Sequence, residues 1–174
     1  MKPASRFLYA LAAWAIVGLL ASVWPQFALL WQWGGVILGI AVVVDAFLLL
    51  GSKISIDRKL PSRCALGVET EIELTVHNRA GLCNRVTVFD GIPIEAEARE
   101  QPWEGTVRPG GFTTVIYPIK LLRRGRISFT RTSVKIRSLL GLWDRQFRAG
   151  EPGHVRVYPN YEPVVSLALL SIEN

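Results

Sequence analysis

Histidine and acidic side chains that could carry chemistry are scattered along this sequence. His77 and His154 lie far apart, and neither accompanies a nucleophile motif of the kind a catalytic triad requires. Four glutamates occur close together in a proline-containing, loop-like segment: Glu95, Glu97, Glu100 and Glu104. Paired carboxylates can perform acid–base catalysis, but a loop-like setting favours a solvated surface. We therefore expect a protein that is not an enzyme and that needs no cofactor or metal.

The two cysteines offer no metal site. Cys64 and Cys83 are not part of a CxxC motif or a cysteine and histidine cluster. A cytoplasmic domain would keep both thiols reduced, whereas a domain outside the cytoplasm would favour a Cys64–Cys83 disulfide. Their redox state is therefore a test of topology.

Two long apolar runs cover residues 7–24 and 27–50, and one acid, Asp45, interrupts the second of them. Both runs reach the length of about 20 residues that a membrane-spanning helix needs. The aliphatic and Phe residues of the second run favour insertion by roughly 4–8 kcal/mol, and Asp45 opposes it by about 3 kcal/mol. An acid within a span is a candidate functional residue, although Asp45 could also reach the interface or pair with a base.

The charges that flank the two runs predict their orientation. The flanking cations are Lys2 and Arg6 on one side and Lys53, Arg58, Lys59 and Arg63 on the other. Because positive flanks stay in the cytoplasm, both termini and the soluble part are predicted to be cytoplasmic. A secretory signal peptide over residues 1–24 is the competing interpretation, and it leaves the soluble part on the same side.

Small residues in the second run predict close helix packing. Gly35 and Gly39 form a small-xxx-small pair. This pair predicts packing against the first helix of the same hairpin, and the alternative is the contact surface of a homo-oligomer.

After residue 52 the pattern changes to the alternation of half-buried strands. In residues 68–77, Val68, Ile72, Leu74 and Val76 form an apolar face opposite a polar one. Further strands are predicted over residues 54–60, 85–90, 112–122, 126–130, 132–137 and 154–158. Near residues 130–133 the positions expected to face inward change from odd to even residue numbers, which indicates a bulge or a crossing between sheets. We predict an immunoglobulin-like antiparallel β-sandwich.

The chain is predicted to contain a transmembrane hairpin at 1–52, the sandwich at 53–162 and the start of a connection at 163–174.

The net charge of the chain is +6, and the arginines concentrate in its last third. The acidic lipids of the cytoplasmic leaflet are one expected partner of this positive charge, because a membrane-tethered domain already lies beside them. A protein with an acidic surface is the other expected partner. Nucleic acid is disfavoured because few aromatic platforms are interleaved with the cations.

Short motifs occur in an order that resembles a known family. They are Arg58, Pro61, Gly67, Asn78, Arg124, Gly125, Gly141, Leu142, Trp143, Tyr158, Pro159 and Asn160. Over residues 5–165 they resemble the bacterial inner-membrane family called domain of unknown function 58. The chain departs from the family at Ser138-Leu139-Leu140, where many relatives have Asp-Pro. The motif residues are expected to act structurally, in turns and as aromatic anchors.

The resemblance implies a function for the chain. Members of the family continue into a von Willebrand factor type A-like region, which this sequence is expected to lack. They are linked to MoxR-type AAA+ ATPases in chaperone-like or envelope-related processes. We expect a cytoplasm-facing scaffold or interaction module, and the alternative is an ion or lipid sensor or transport accessory that uses Asp45 and a basic surface.

Overall fold

The computed structural model describes residues 1–82, 84–98 and 101–159. Two helices, α1 (Ser5–Val23) and α2 (Ala28–Leu50), are joined by a 3-10 turn at Pro25–Phe27. Both are long and apolar enough to span a membrane, and they coincide with the two predicted runs within about two residues. No residue of α1 is buried, and only Asp45 and Leu49 are buried on α2.

Tryptophans and glycines hold the two helices together. The Trp14 indole N–H donates to the Trp31 carbonyl oxygen at 3.0 Å, and the two rings stack with centroids 5.7 Å apart. A Cβ atom at Gly35 would lie 2.9 Å from Trp14 Nε1, so a larger residue would displace the indole. Gly35 thus packs within the hairpin, whereas no described atom lies within 4 Å of a Cβ placed at Gly39.

The described residues outside the helices form eleven strands in two sheets. In chain order they are β1 (Lys2–Pro3), β2 (Ile54–Lys59), β3 (Arg63–Ala65), β4 (Glu69–Asn78), β5 (Asn84–Gly91), β6 (Ala96–Ala98), β7 (Trp103–Val107), β8 (Phe112–Leu121), β9 (Gly125–Arg137), β10 (Trp143–Ala149) and β11 (Gly153–Tyr158). The large sheet has the order β1-β10-β9-β11-β3, with β5 also paired to β9 and β7 paired to β5. The small sheet has the order β2-β4-β8-β6.

The inward residues of both sheets share one hydrophobic core, which makes the fold a β-sandwich. Leu74 and Ile119 of the small sheet and Val88 and Ile136 of the large sheet are at most 2% exposed within it. The alternation predicted for β4 is confirmed, because Ile72, Leu74, Val76 and Asn78 are its buried positions. The expectation of a purely antiparallel sandwich is wrong at one pair, since β3 and β11 run parallel.

The predicted change from odd-numbered to even-numbered inward-facing residues is confirmed on β9. Ile127 and Phe129 are buried on its first half, and Thr132, Val134 and Ile136 on its second half. The pairing with β5 is also irregular there, between Phe89 and Gly91. The two predicted strands are therefore one long strand with a bulge, in which consecutive exposed residues change the side that faces the core.

Several strands lack a strong sequence signal. β1, β3 and β6 have only two or three residues, so no period of two can be recognised. β7 and β10 occupy segments that carry many polar side chains, and the first of them includes part of the region interpreted as a loop. Lys2 and Pro3, for which the sequence predicts no strand, pair with β10 and join the large sheet.

Candidate functional site at the helix and sandwich junction

The Asp45 carboxylate binds a loop of the sandwich. We call Ser138–Leu142, which connects β9 to β10, the junction loop. Ser138 Oγ donates to Asp45 Oδ2 at 2.6 Å, and the backbone N–H of Leu142 donates to the same oxygen at 3.2 Å. The Leu140 N–H donates to Asp45 Oδ1 at 2.9 Å. Asp45 is fully buried, so these three donors replace the water that a carboxylate would otherwise bind.

The conformation of the junction loop depends on Gly141 and Ser138. Gly141 has φ +75°, a value that favours glycine, and its N–H donates to the Ser138 carbonyl oxygen at 3.1 Å. The Ser138 hydroxyl also accepts the Trp143 N–H at 2.9 Å. Ser138 thus binds two later residues of the segment, Gly141 and Trp143, and donates its hydroxyl proton to Asp45. This loop conformation directs the amides of Leu140 and Leu142 toward the carboxylate.

Trp143 connects the sandwich to both helices. Its indole N–H donates to the Val42 carbonyl oxygen of α2 at 3.1 Å, and its ring stacks on Phe7 of α1 with centroids 5.6 Å apart. Leu49 near the end of α2 is 2% exposed and belongs to the sandwich core. The hairpin and the sandwich are therefore joined by polar and apolar contacts over about two turns of α2.

The junction brings together residues that the sequence had singled out for separate reasons. Asp45 was a candidate intramembrane acid, and Gly141, Leu142 and Trp143 were expected structural positions. Among the described residues Asp45 has no basic partner, contrary to one of the sequence hypotheses. Sequence reasoning missed Ser138 as the partner, and the only available signal was a serine three residues before a turn glycine. Because donors bind both oxygens of the Asp45 carboxylate, the site can fix the position of the junction loop relative to α2.

A second polar cluster joins the two sheets inside the core. Arg58 of β2 donates through Nη2 to the Asp90 carboxylate of β5, to the Thr130 carbonyl oxygen at 2.8 Å and to Thr132 Oγ1 at 2.9 Å. Tyr117 of β8 donates its hydroxyl to Asp90. The Arg58 and Asp90 side chains are 4% and 0% exposed. Because β2 and β8 belong to one sheet and β5 to the other, this cluster ties the sheets together.

The protonation states in this cluster follow from its burial. Burial, and next the negative charge of Asp90, raise the pKa of Tyr117 well above its ordinary value. Tyr117 therefore stays a hydrogen-bond donor throughout the physiological pH range.

The sequence signal for this cluster was the alternation of inward-facing residues along two strands. Ile54, Ile56 and Arg58 share one side of β2, just as Val86, Val88 and Asp90 share one side of β5.

Other motif residues lie in turns spread over the sandwich. The buried Asn78 side chain donates to the carbonyl oxygens of Leu82 at 2.8 Å and Val107 at 3.0 Å. Gly67 and Gly125 have φ +75° and +111°, values that favour glycine. These residues shape separate turns and do not converge on one site.

The remaining motif residues are not gathered into a site either. Pro61 lies between β2 and β3, and Arg124 is exposed before β9. Tyr158 ends β11, where the Arg63 guanidinium lies 5.9 Å from its ring centroid, and Pro159 follows. Asn160 and the predicted connection at 163–174 lie outside the described residues.

The structure separates the side chains considered for catalysis. His77 on β4 lies 3.2 Å from an Asp57 oxygen, whereas His154 is on β11 of the other sheet. Glu97 is on β6 and Glu104 on β7, while Glu95 approaches Arg123 at 3.6 Å. Glu100 lies outside the described residues. Within the described parts of the chain, no group of three histidine, cysteine or acidic residues is placed to hold a metal ion.

Cys64 is a buried free thiol on β3. Burial raises its pKa, and a hydrogen bond with Thr70 opposes this effect only in part. The thiolate is therefore scarce at neutral pH, and reagents reach it poorly in the folded protein. Cys83 lies outside the described residues.

Three arginines form a row across the large sheet, which we call the distal arginine row. Arg156 of β11 lies directly opposite Arg126 of β9 on one side and Arg63 of β3 on the other. All three are exposed, and none has a carboxylate partner among the residues described. Arg126 and Arg137 stand near opposite ends of β9, about 35 Å apart along an extended strand. The row therefore lies at the end of β9 that is far from the junction loop and the hairpin.

Comparison with known proteins adds no assignment. No family model and no curated protein matches the chain. Native alpha-2-macroglobulin from Escherichia coli is a structural neighbour with 17% identity and a TM-score of 0.49, over 63% of this chain and 17% of that one. The Salmonella alpha-2-macroglobulin mutant Y1175G gives 18% identity and a TM-score of 0.46, over 61% of this chain and 7% of that one. The chain thus spans under a fifth of these proteins, and the likeness is too low to support a functional argument.

Proposed function

We propose that this chain is a membrane-anchored scaffold that holds a β-sandwich in a fixed position at the cytoplasmic surface of a bacterial inner membrane. The observation that carries the proposal is the junction, where Asp45, Leu49 and Trp143 fix the sandwich to the helices. A flexible tether would need none of these contacts. A fixed attachment instead suits a module that presents one face to a partner at a defined height above the membrane.

The exposure of the helices supports the membrane part of the proposal. Large apolar side chains are exposed along both helices, including Leu19 at 70% and Val43 at 68%. In water this surface would be a large unfavourable apolar patch, whereas lipid accommodates it. Trp143 contacts Phe7 of α1 and Val42 of α2, and we infer that this level marks the inner membrane boundary. Residues 28–44 then cross about 25 Å, with Asp45 at the boundary.

Topology can be tested with single cysteines at exposed positions. Ser62 precedes β3 and Gln26 lies in the turn between the helices. In a background with Cys83→Ser and the buried Cys64 retained, we expect an impermeant thiol reagent to label Gln26→Cys in intact spheroplasts. Ser62→Cys should react only after permeabilisation, because the positive flanks keep the sandwich inside.

Controls make the labelling result decisive. The background protein, which retains Cys64, should react only after denaturation because that thiol is buried with a raised pKa. Labelling of Ser62→Cys in intact spheroplasts would overturn the cytoplasmic placement.

The distal arginine row supports an interaction role. Like charges directly opposite each other on neighbouring strands destabilise a sheet by a few tenths of a kcal/mol. Such a row, kept exposed at the end of the sandwich away from the hairpin, suits a partner with an acidic surface. The family resemblance suggests a MoxR-type AAA+ ATPase as that partner.

Charge reversal tests the partner assignment. We expect the purified detergent-solubilised protein to bind a purified MoxR-type ATPase from the same organism, and Arg126→Glu with Arg156→Glu to weaken binding at least tenfold. The physical reason is the replacement of attraction by repulsion at the interface. The matched control, Arg131→Glu with Arg148→Glu, reverses two exposed charges elsewhere and should bind normally. Absence of binding, or equal loss in both pairs, would contradict the assignment.

The alternative function is a sensor or transport accessory that uses Asp45 and a basic surface. Because donors occupy both carboxylate oxygens of Asp45, an ion would have to displace the junction loop. This geometry favours the scaffold proposal. A homo-oligomer stays a prediction, and Gly39 is the position of α2 where a second copy could pack closely.

A further inference from the structure

A small basic cavity lies beside the junction loop. It has a volume of about 230 Å³ and is lined by residues from α1, β5, β7, β9 and the loop, with Arg6, Arg85, Arg137, Ser138 and Leu139 among them. We call it the juxtamembrane cavity. Three of its lining residues are arginines and none is acidic.

The arginines of this cavity are only partly neutralised. Arg85 lies directly opposite Arg137 on the neighbouring strand, an arrangement that costs stability when no anion lies between them. Arg137 donates through Nε to Asp144 at 3.0 Å. Burial alone would raise the pKa of Asp144, but bonds from Arg137 and Lys135 outweigh it and lower the pKa. Neither Arg6 nor Arg85 has an ion-pair partner within the described ranges of the chain.

The cavity lies at the level of the inferred membrane boundary. Ser138, which lines it, also donates to Asp45 of α2, and Arg6 is in the first turn of α1. Leu139 and Leu140 of the junction loop are 63% and 48% exposed. Two exposed leucines beside a basic cavity match the chemistry of a lipid, whose charged headgroup and acyl chains are adjacent.

We propose that the juxtamembrane cavity binds the phosphate of an acidic phospholipid headgroup from the cytoplasmic leaflet. Guanidinium groups fit phosphate because their planar N–H donors make paired, charge-assisted hydrogen bonds. The headgroup phosphate would lie between Arg85 and Arg137 with Arg6 beside it, and the acyl chains would follow Leu139 and Leu140. This inference rests on the proposed membrane insertion. It assigns a lipid class to a defined site, whereas the sequence implied only general attraction to acidic lipids.

Native mass spectrometry in neutral detergent tests the proposal. The full chain is titrated with phosphatidylglycerol, with phosphatidylcholine and with glycerol 3-phosphate, and bound molecules are counted. We expect one phosphatidylglycerol to bind preferentially over phosphatidylcholine. Arg85→Gln should weaken that binding about tenfold, because it removes one paired contact to phosphate. Arg85 is exposed, so the variant should fold, and its unfolding midpoint is measured to verify this.

The control is Arg131→Gln, which removes the same charge from an exposed position on β9 six residues from Arg137. Unchanged lipid binding in this variant supports the cavity. Equal weakening in both variants would show a general charge effect and overturn the proposal. Binding of glycerol 3-phosphate as tight as that of the lipid would identify a soluble phosphate site and overturn the lipid assignment.

The titration is independent of the tests of the scaffold function. It is carried out in micelles, where neither orientation in the cell nor an ATPase influences the result. Loss of lipid selectivity with normal cysteine labelling and normal ATPase binding would reject the cavity alone. Preferential lipid binding with failed ATPase binding would reject the partner alone.

Discussion

Replacing Asp45 with Ala is expected to release the junction loop from α2 and to lower local stability by about 2–4 kcal/mol. The change leaves the part-buried N–H of Leu140 and the buried N–H of Leu142 without their acceptor, and it removes the acceptor of the Ser138 hydroxyl. Hydrogen exchange of a peptide covering residues 138–143 measures the effect in micelles. Exchange there should accelerate at least thirtyfold, since each 1.4 kcal/mol corresponds to a factor of about ten.

Two further comparisons test this interpretation. Ser138→Ala removes one donor to Asp45 and the acceptor of the Trp143 N–H, but it leaves both backbone donors bound to Asp45. The exchange rate should therefore rise by a smaller factor than in Asp45→Ala. Peptides from β4, which lies in the small sheet, serve as the internal reference and should be unaffected in every variant. An unchanged exchange rate at residues 138–143 in Asp45→Ala would contradict the role of the carboxylate as the acceptor that holds the loop.

The junction also changes how an Asp45→Asn variant is interpreted. From the sequence, this substitution separates a scaffold from a sensor, because only a sensor needs the charge. In the structure, each side-chain oxygen of Asp45 accepts a backbone N–H, so the NH₂ group that the substitution introduces would face the N–H of either Leu140 or Leu142, donor against donor. The substitution therefore weakens the attachment under either function. Substitutions in the distal arginine row address function without disturbing the junction.

The two helices and the longer alternating strands of this fold could be predicted from local patterns, whereas the short strands and the junction could not. Two apolar runs and the alternation at β4 are properties of neighbouring residues, and both predictions agree with the structure. Asp45 and Ser138 are 93 positions apart, so their contact depends on how the hairpin docks on the sandwich. No local pattern in a single sequence encodes that docking. An acid in an apolar run can lie within the lipid, pair with a basic residue or bind a loop, and the run itself does not distinguish these cases.

The cluster around Arg58 illustrates a signal that was present in the sequence and was not used. Arg58 and Asp90 both continue an inward apolar alternation, which places a charge where a hydrophobic side chain would be expected. Two such positions of opposite charge predict a buried ion pair. What the pattern could not supply is the set of neighbours, because Tyr117 and Thr132 come from two further strands of different sheets.

Arg58→Met is expected to lower the free energy of unfolding by about 3–5 kcal/mol, because it leaves the Asp90 carboxylate buried without its cation. Asp90 would keep hydrogen bonds from Tyr117, from Thr132 and from the Gly91 N–H, so the carboxylate stays partly satisfied. Chemical denaturation of the detergent-solubilised protein, followed by Trp fluorescence, measures the loss.

The double variant Arg58→Met with Asp90→Asn should be less destabilised than the sum of the two single variants. Each single variant leaves one buried charge unpaired, whereas the double variant leaves none. Arg58 Nε and Nη1 are buried without a hydrogen-bond partner in the described structure, so removing the guanidinium also removes two unsatisfied nitrogen atoms. Strict additivity of the two single effects would show that Arg58 and Asp90 stabilise the sandwich independently, and that the charge pair is not what joins the two sheets.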